Sequence, residues 1–200
     1  MLLIGLTGSI GMGKSTTAEL FAGEGVAYYD ADAAVHRLYE KDQPGAKAIA
    51  EVFPQAVKGG AVDRPALAKI VLNDPEALKT LEGLIHPLLV GERKAFLEHN
   101  AEAGAFAVVL DIPLLFEKGS RDDFDYVVTV SAPADVQRRR VLARPGMTEE
   151  KFEAILAQQM PDAQKRALSD FVVDTSISVS DAHRQIKEII ATIRKTHNEA

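Results

Sequence analysis

The 200-residue chain has no cysteine, which excludes disulfides and thiolate-held metal sites. Aromatic residues make up only 6% of it, and its tyrosines and phenylalanines form no basic–aromatic platform for single-stranded nucleic acid. Positive charge is also short. Lysine and arginine number 23 against 29 acidic residues, a net charge of −6. That balance argues against broad attraction to nucleic acid or an anionic membrane, so an anionic substrate must be held by local cations. No uninterrupted apolar run reaches membrane-spanning length. The N-terminus reads as a buried strand rather than a secretory leader, so a cytoplasmic location is expected. There is no internal repeat, low-complexity tract or interdomain linker. His36, His99, His183 and His197 show no metal-ligand spacing.

Against these absences stands one dense motif. Gly8-Ser9-Ile10-Gly11-Met12-Gly13-Lys14-Ser15 fits G-x-x-x-x-G-K-[ST] in full. An apolar run, Leu2 to Leu6, leads into it, and a helix-like segment, Ser15 to Phe21, leads out. Strand, glycine loop and helix together predict a phosphate cradle. Glycines let the backbone approach phosphate oxygens, successive N–H groups form an anion nest, and the helix N-terminus adds its positive end. Lys14 would supply a mobile cation, and the Ser15 hydroxyl a ligand for Mg²⁺. The competing reading is a glycine-rich turn without a ligand.

Five short apolar runs read as buried parallel strands: Leu2–Leu6, Val26–Tyr29, Phe106–Leu110, Tyr126–Val130 and Phe171–Val173. Helical patterns separate them, which predicts an α/β layer fold in a single domain. The stretch 33–103 is too long for a simple crossover and is expected to include a helical substrate-binding insertion. A second helical excursion, 136–168, is broken at Pro145-Gly146 and at Pro161 and reads as a lid, with Ala134–Ala143 forming a helix and Thr148 capping the next. Ser180 is expected to cap a final helix whose apolar stripe is Ala182, Ile186, Ile189, Ile190 and Ile193.

Other residues could carry chemistry. Asp30 and Asp32 close the second strand, where ligands of parallel sheets collect. If the extended conformation continues, both face one side and either could orient a substrate hydroxyl. Otherwise Asp30 is a helix cap and Asp32 a first-turn dipole partner. Asp111 ends an apolar run in the manner of a strand whose carboxylate helps to hold Mg²⁺, with a capping role as the alternative. No acidic residue follows it directly, which leans towards transfer to an organic acceptor rather than hydrolysis. Gln137, Arg140 and Arg144 fall at helical spacing on one face. Arg140 and Arg144 read as phosphate contacts, while Arg138 and Arg139 read as a solvated face. Arg64, in Asp63-Arg64-Pro65, and His86, in Ile85-His86-Pro87, are weak signals alone, and Asp63 resembles a helix cap.

In order along the chain, the phosphate loop, Asp30-Ala31-Asp32, Asp63-Arg64-Pro65-Ala66-Leu67, Leu81-Glu82 with His86-Pro87, Asp111-Ile112-Pro113-Leu114-Leu115-Phe116-Glu117, Gln137 with Arg140 and Arg144, and Gln159 resemble the dephospho-coenzyme A kinase family. The resemblance spans Ile4 to about Ile193. It implies a three-layer P-loop kinase fold with a five-stranded parallel sheet, a helical CoA-binding insertion and a helical lid. It implies transfer of the ATP γ-phosphoryl group to the ribose 3′-hydroxyl of dephospho-CoA, the last step of coenzyme A biosynthesis, with ATP, Mg²⁺ and dephospho-CoA as small-molecule partners. A monomer is compatible with the sequence.

Carried over by position, Asp32 would be the base, and Lys14 and Arg140 would stabilise phosphoryl charge. Gly8, Gly11, Met12, Gly13, Lys14, Ser15, Thr16 and Arg144 would hold ATP. Asp32, Arg64, His86 and Asp111 would belong to the acceptor side, with Ser15 and Asp111 at the metal. Two positions depart from the pattern: Ser9 stands where the family usually has Gly, and Asp174-Thr175-Ser176 stands where it often shows Asn followed shortly by Gly. Rival readings are another small-molecule P-loop kinase or a nucleotide switch; an Asn-Lys-x-Asp base-reading motif is absent.

Overall fold

The computed structural model describes residues 1–72 and 74–198. Its contacts divide the chain into two compact units, one made of residues up to Tyr29 and from Asn100 onward, the other of Asp30–His99. In chain order, β1 (Leu2–Thr7), α1 (Lys14–Gly23) and β2 (Ala27–Tyr29) begin the first unit. The second holds α2 (Ala31–Leu38), α3 (Pro44–Val52), β3 (Val57–Lys58), β4 (Ala61–Val62), α4 (Arg64–Val71) and nearly all of α5 (Pro75–Glu102). The chain completes the first unit with β5 (Ala107–Asp111), β6 (Tyr126–Ser131), α6 (Ala134–Leu142), α7 (Glu149–Leu156), α8 (Asp162–Leu168), β7 (Phe171–Asp174) and α9 (Val179–Asn198).

The first unit contains a five-stranded sheet in the order β2-β5-β1-β6-β7, with every pairing parallel. The strands expected from the apolar runs all form, with ends shifted by a residue or so. They read as unbroken apolar runs because the sheet is covered on both faces. Ile4, Leu6, Val109, Val128 and Val130 have no exposed surface, and they share one core cluster with Phe21 of α1 and the stripe Ala182, Ile186, Ile189, Ile190 and Ile193 of α9. β1 hands the chain on towards β2 at one edge, and β6 hands it on towards β7 at the other. Their carboxyl ends therefore flank a switch point, where open parallel sheets bind ligands.

The second unit has its own small core around Leu38, Ile49, Phe53, Leu67 and Ile85. Its helix starts follow local chemistry. The Asp30 carboxylate accepts from Ala33 N–H at 2.9 Å, and Asp63 accepts from Ala66 N–H at 3.1 Å, each satisfying an orphan donor of a first turn. Thr148 caps α7 in the first unit in the same way, through Lys151 N–H at 3.3 Å.

Of the two readings of Asp30-Ala31-Asp32 the capping one holds, and the extended conformation does not continue through Asp32. It stops at Asp30, whose side chain starts α2, so Asp32 sits in a first helical turn. α9 begins earlier than expected: its cap is Ser178, whose hydroxyl accepts from Asp181 N–H at 3.0 Å, and Ser180 lies within the first turn. α6 closes at Leu142, so Arg144 follows the helix in a turn, its N–H bonded to Val141 O at 3.0 Å, rather than continuing the helical face. The antiparallel hairpin β3–β4, joined by Gly59-Gly60, was not expected, because each strand is only a residue pair long and carries no alternating pattern to read.

Candidate active site

The loop between β1 and α1 is shaped by its glycines. Gly11 has φ +78°, and a Cβ there would lie 2.4 Å from Val141 Cγ2. Gly13 has φ +98° and serves as the N-cap of α1. A side chain at either position would strain the turn. α1 therefore starts at Lys14 with the first N–H groups of the helix presented at its open end, where no intrahelical acceptor exists. Ser15 and Thr16 are exposed there. Thr17 is buried and its hydroxyl donates back to Gly13 O at 3.0 Å.

The loop is also held from outside. Gln137 of α6, buried, donates from Nε2 to Ile10 O at 2.8 Å, and Gln159 Oε1 accepts from Ile10 N–H at 3.1 Å. Two glutamines thus satisfy both polar groups of one loop residue. Ala132 N–H points to the Met12 sulfur at 3.2 Å, and the Thr175 hydroxyl donates to Met12 O at 2.7 Å. Spacing placed Gln137 only on the face of the arginines, and Gln159 only among the family positions. The available signal was a short polar side chain in an otherwise basic helix, which gave no direction for its bonds. Ser9, the bulkier departure from the family loop, is buried, and its carbonyl accepts from Met12 N–H at 3.2 Å.

Lys14 and Asp111 are brought together. Lys14 Nζ lies 3.7 Å from Asp111 Oδ1, and both side chains are largely shielded, 16% and 19% exposed. Parallel register explains this: Asp111 ends β5 opposite Leu6 of β1, just before the loop. Asp111 offers a hard carboxylate oxygen, and the Ser15 hydroxyl is exposed with no hydrogen-bond partner among the described residues. One carboxylate and one hydroxyl, completed by substrate phosphates and water, are a donor set that suits a magnesium ion.

Beyond Asp111 the chain is anchored by a buried pair. Lys165 of α8 has no exposed surface; its Nζ donates to Glu117 Oε1 at 2.9 Å and to Pro113 O at 3.0 Å. Met160 N–H also donates to Glu117 Oε1, at 2.7 Å. Burial works against the Glu117 charge, but the hydrogen bonds from Lys165 and from backbone N–H groups outweigh it and hold the carboxyl below the usual glutamate range.

α6 and the segment after β7 line a cavity at the loop. This cavity of about 250 Å³ is lined by Gly11, Gly13, Thr16, Arg140, Arg144 and Thr175, among others. Arg140 Nη1 donates to the Thr175 hydroxyl at 2.9 Å and Nη2 to Thr175 O at 2.6 Å. Among the described residues it makes no ion pair. Arg138, two positions back, is engaged by Glu149 and, at 3.9 Å, by Glu153. Arg139 is exposed. Arg138 is thus paired with carboxylates of α7, whereas Arg140 has none among the described residues.

The remaining candidates lie in the second unit. Asp32 and His86 are exposed, and Asp32 has no partner among the described residues. Arg64 donates to His36 Nε2 at 2.9 Å, a contact that spacing did not reveal. It borders an open groove of about 610 Å³ with Tyr39, Leu67, Val71 and Leu81. Burial pushes the Tyr39 phenol up from its ordinary value, and the neighbouring Arg64 charge pulls it partly back. No group of three or more His, Asp or Glu side chains able to hold a metal occurs among the described residues. No described helix is long and apolar enough to cross a membrane.

A phosphate loop at a parallel-sheet switch point, with a lysine–aspartate pair next to it and, lining its cavity, an arginine that has no ion pair among the described residues, defines a phosphoryl-transfer fold of the P-loop kinase class. Comparison with known proteins narrows the class. The profile of the dephospho-CoA kinase family matches residues 2–181. The dephospho-CoA kinase of Rhodopseudomonas palustris is 52% identical over 195 residues, covering 98% of this chain and 97% of that protein. A solved structure from Thermus thermophilus superposes with a TM-score of 0.74 at 39% identity, covering 96% and 97% of the two chains. A dephospho-CoA kinase from Campylobacter jejuni superposes with a TM-score of 0.70 at 26% identity, covering 98% of each. The chain belongs to the dephospho-CoA kinase family.

Proposed function

We propose that this chain transfers the γ-phosphoryl group of ATP to the ribose 3′-hydroxyl of dephospho-CoA, giving coenzyme A and ADP. The observation that carries the reading is the pairing of Lys14 with Asp111 next to the phosphate loop, together with Arg140, which lines the cavity at that loop and makes no ion pair among the described residues. Such a site is short of negative charge at the point where a triphosphate would supply it.

Loop N–H groups and the start of α1 bind the β- and γ-phosphates, and Lys14 leaves Asp111 to follow the charge that develops on the transferring group. Arg140 and Arg144 meet it from the other side. When bound, Mg²⁺ would be held by Ser15 and Asp111 and would supply charge neutralisation to the phosphates. Asp32, exposed and without a side-chain partner among the described residues, orients the acceptor hydroxyl and takes its proton. The hydroxyl oxygen forms the new bond to the γ-phosphorus as the bond to the β–γ bridging oxygen breaks, and ADP leaves with that electron pair. The groove beside Arg64, with His86, receives other parts of the acceptor. Segment 136–168, which carries the arginines and Gln159, serves as the lid that excludes water.

Mass spectrometry of dephospho-CoA incubated with ATP, Mg²⁺ and the protein tests this. A gain of one phosphate at the ribose 3′ position is expected. ADP release without an acceptor product would overturn the reading.

A further inference from the structure

We infer that Thr175 is the positioning residue for Arg140, locking that guanidinium to the phosphate loop so that loop and arginine present a single rigid anion site. The inference rests on the proposal that Arg140 meets the transferring phosphoryl group.

Thr175 follows the last residue of β7, and separate elements converge on it. Its N–H donates to Ser131 O, at the end of β6, at 3.0 Å. Its hydroxyl donates to Met12 O in the phosphate loop at 2.7 Å. The same hydroxyl and the Thr175 carbonyl accept from Nη1 and Nη2 of Arg140 at 2.9 and 2.6 Å. The polarity is self-consistent. A hydroxyl has one proton and two lone pairs, so giving the proton to Met12 O leaves the oxygen free to accept from the guanidinium. Arg140, Thr175 and Met12 thus form a hydrogen-bonded chain in which each bond strengthens the next.

Shape supports the same role. Thr175 Oγ1 lies 3.3 Å from where a Cβ on Gly13 would sit, so the side chain is packed against the last glycine of the loop. A β-branched side chain has few χ1 options, and two bonds of opposite polarity select one of them. The acceptors are neutral, so they fix the guanidinium without cancelling its charge. A carboxylate in their place would pair with Arg140 as Glu149 pairs with Arg138.

Thr175→Val, which keeps the branched shape but loses the hydroxyl, should lower kcat about tenfold or more and leave the KM for dephospho-CoA within twofold. Thr175→Ser should recover most of that turnover. Arg140→Ala should lower kcat further, and adding Thr175→Val to it should change kcat less than twofold. If Arg140→Ala leaves kcat near the starting value, the role given to Arg140 is wrong. If Arg140→Ala is slow but Thr175→Val costs the same factor with or without Arg140, Thr175 does not act through the arginine and the inference is overturned. Circular dichroism melts accompany each variant. Should the valine variant not fold, Thr175→Ala carries the same expectations and the same overturning result.

Discussion

The two units solve different problems with their polar residues. In the first, groups around the phosphate loop are committed: Gln137 and Gln159 to Ile10, Thr175 to Met12 and Arg140, and Lys165 to Glu117 and Pro113. In the second, Asp32 and His86 are exposed, and the groove beside Arg64 is open, about 610 Å³ against about 250 Å³ for the cavity at the loop. On the proposed function, the contrast teaches that the phosphate side is organised before ligands arrive, while the acceptor side leaves ordering to its substrate. A small, strongly charged group rewards fixed dipoles, because they cost no reorganisation when charge moves. A long, flexible acceptor must be gathered by adaptable contacts, and part of its binding energy is spent on ordering.

The largest test of a preorganised phosphate side is Lys14→Met. It should lower kcat by about 10³-fold, or about 4 kcal/mol of transition-state stabilisation, while the dissociation constant for ATP changes far less. Steady-state kinetics with equilibrium nucleotide binding would show this. Equal losses in both would mean that Lys14 provides uniform binding, and that the site is not tuned to the transferring group.

Next in size is the buried pair that braces the segment after β5. Lys165→Met leaves Glu117 without its main partner and should cost about 3 kcal/mol of stability, at the low end for a broken buried pair because Glu117 retains some exposure, 17%. The pair also sets a pH window. The Glu117 carboxyl titrates below its ordinary value in the fold, so the unfolded chain binds more protons as acid is added. Its contribution is present above the ordinary glutamate value and is lost as pH falls through the lowered one. Urea midpoints of the native protein and Glu117→Gln should therefore differ at neutral pH and converge in acid. A constant gap would remove the charge from the explanation.

Much of this arrangement was legible in the sequence, and the limits have physical causes. The phosphate loop and the sheet could be read because they rest on local signals, backbone freedom and apolar runs. Asp111 could be placed for the same reason, since it ends such a run. The clamps on the loop could not be read. Gln137, Gln159 and Thr175 lie more than a hundred residues from Ile10 and Met12, and a hydrogen bond leaves no periodicity behind. Asp32 was legible only as a choice. Strand alternation would put it beside Asp30 and a cap would put it in a first turn, and the Asp30 carboxylate, which accepts from Ala33 N–H, decides for the turn. Arg138 and Arg140 were separable by helical spacing, yet the reason, a glutamate on α7 for one and a threonine after β7 for the other, is tertiary.

Within the second unit, Asp32→Asn should reduce transfer by about 10²-fold with ATP binding intact, the size of effect general-base groups commonly supply. It should leave the melting temperature nearly unchanged, because the carboxylate has no partner to lose among the described residues. Single-turnover phosphorylation of dephospho-CoA measures the chemical step directly. Near-normal rates would mean that the acceptor hydroxyl needs no carboxylate there.

The smallest effect belongs to the neighbouring acid and gives the sharpest control. Asp30→Ala removes the cap on α2 and should cost about 1 kcal/mol of stability, whereas Asp30→Asn, whose amide oxygen can still accept from Ala33 N–H, should cost a few tenths. Neither should approach the turnover loss of Asp32→Asn, because the Asp30 carboxylate is occupied by the helix it starts. Thermal melts and single-turnover rates on the same preparations separate the two roles. If Asp30→Asn stops transfer while Asp32→Asn does not, the base is the capping residue, and this acid of the acceptor side is as firmly committed as those around the phosphate loop.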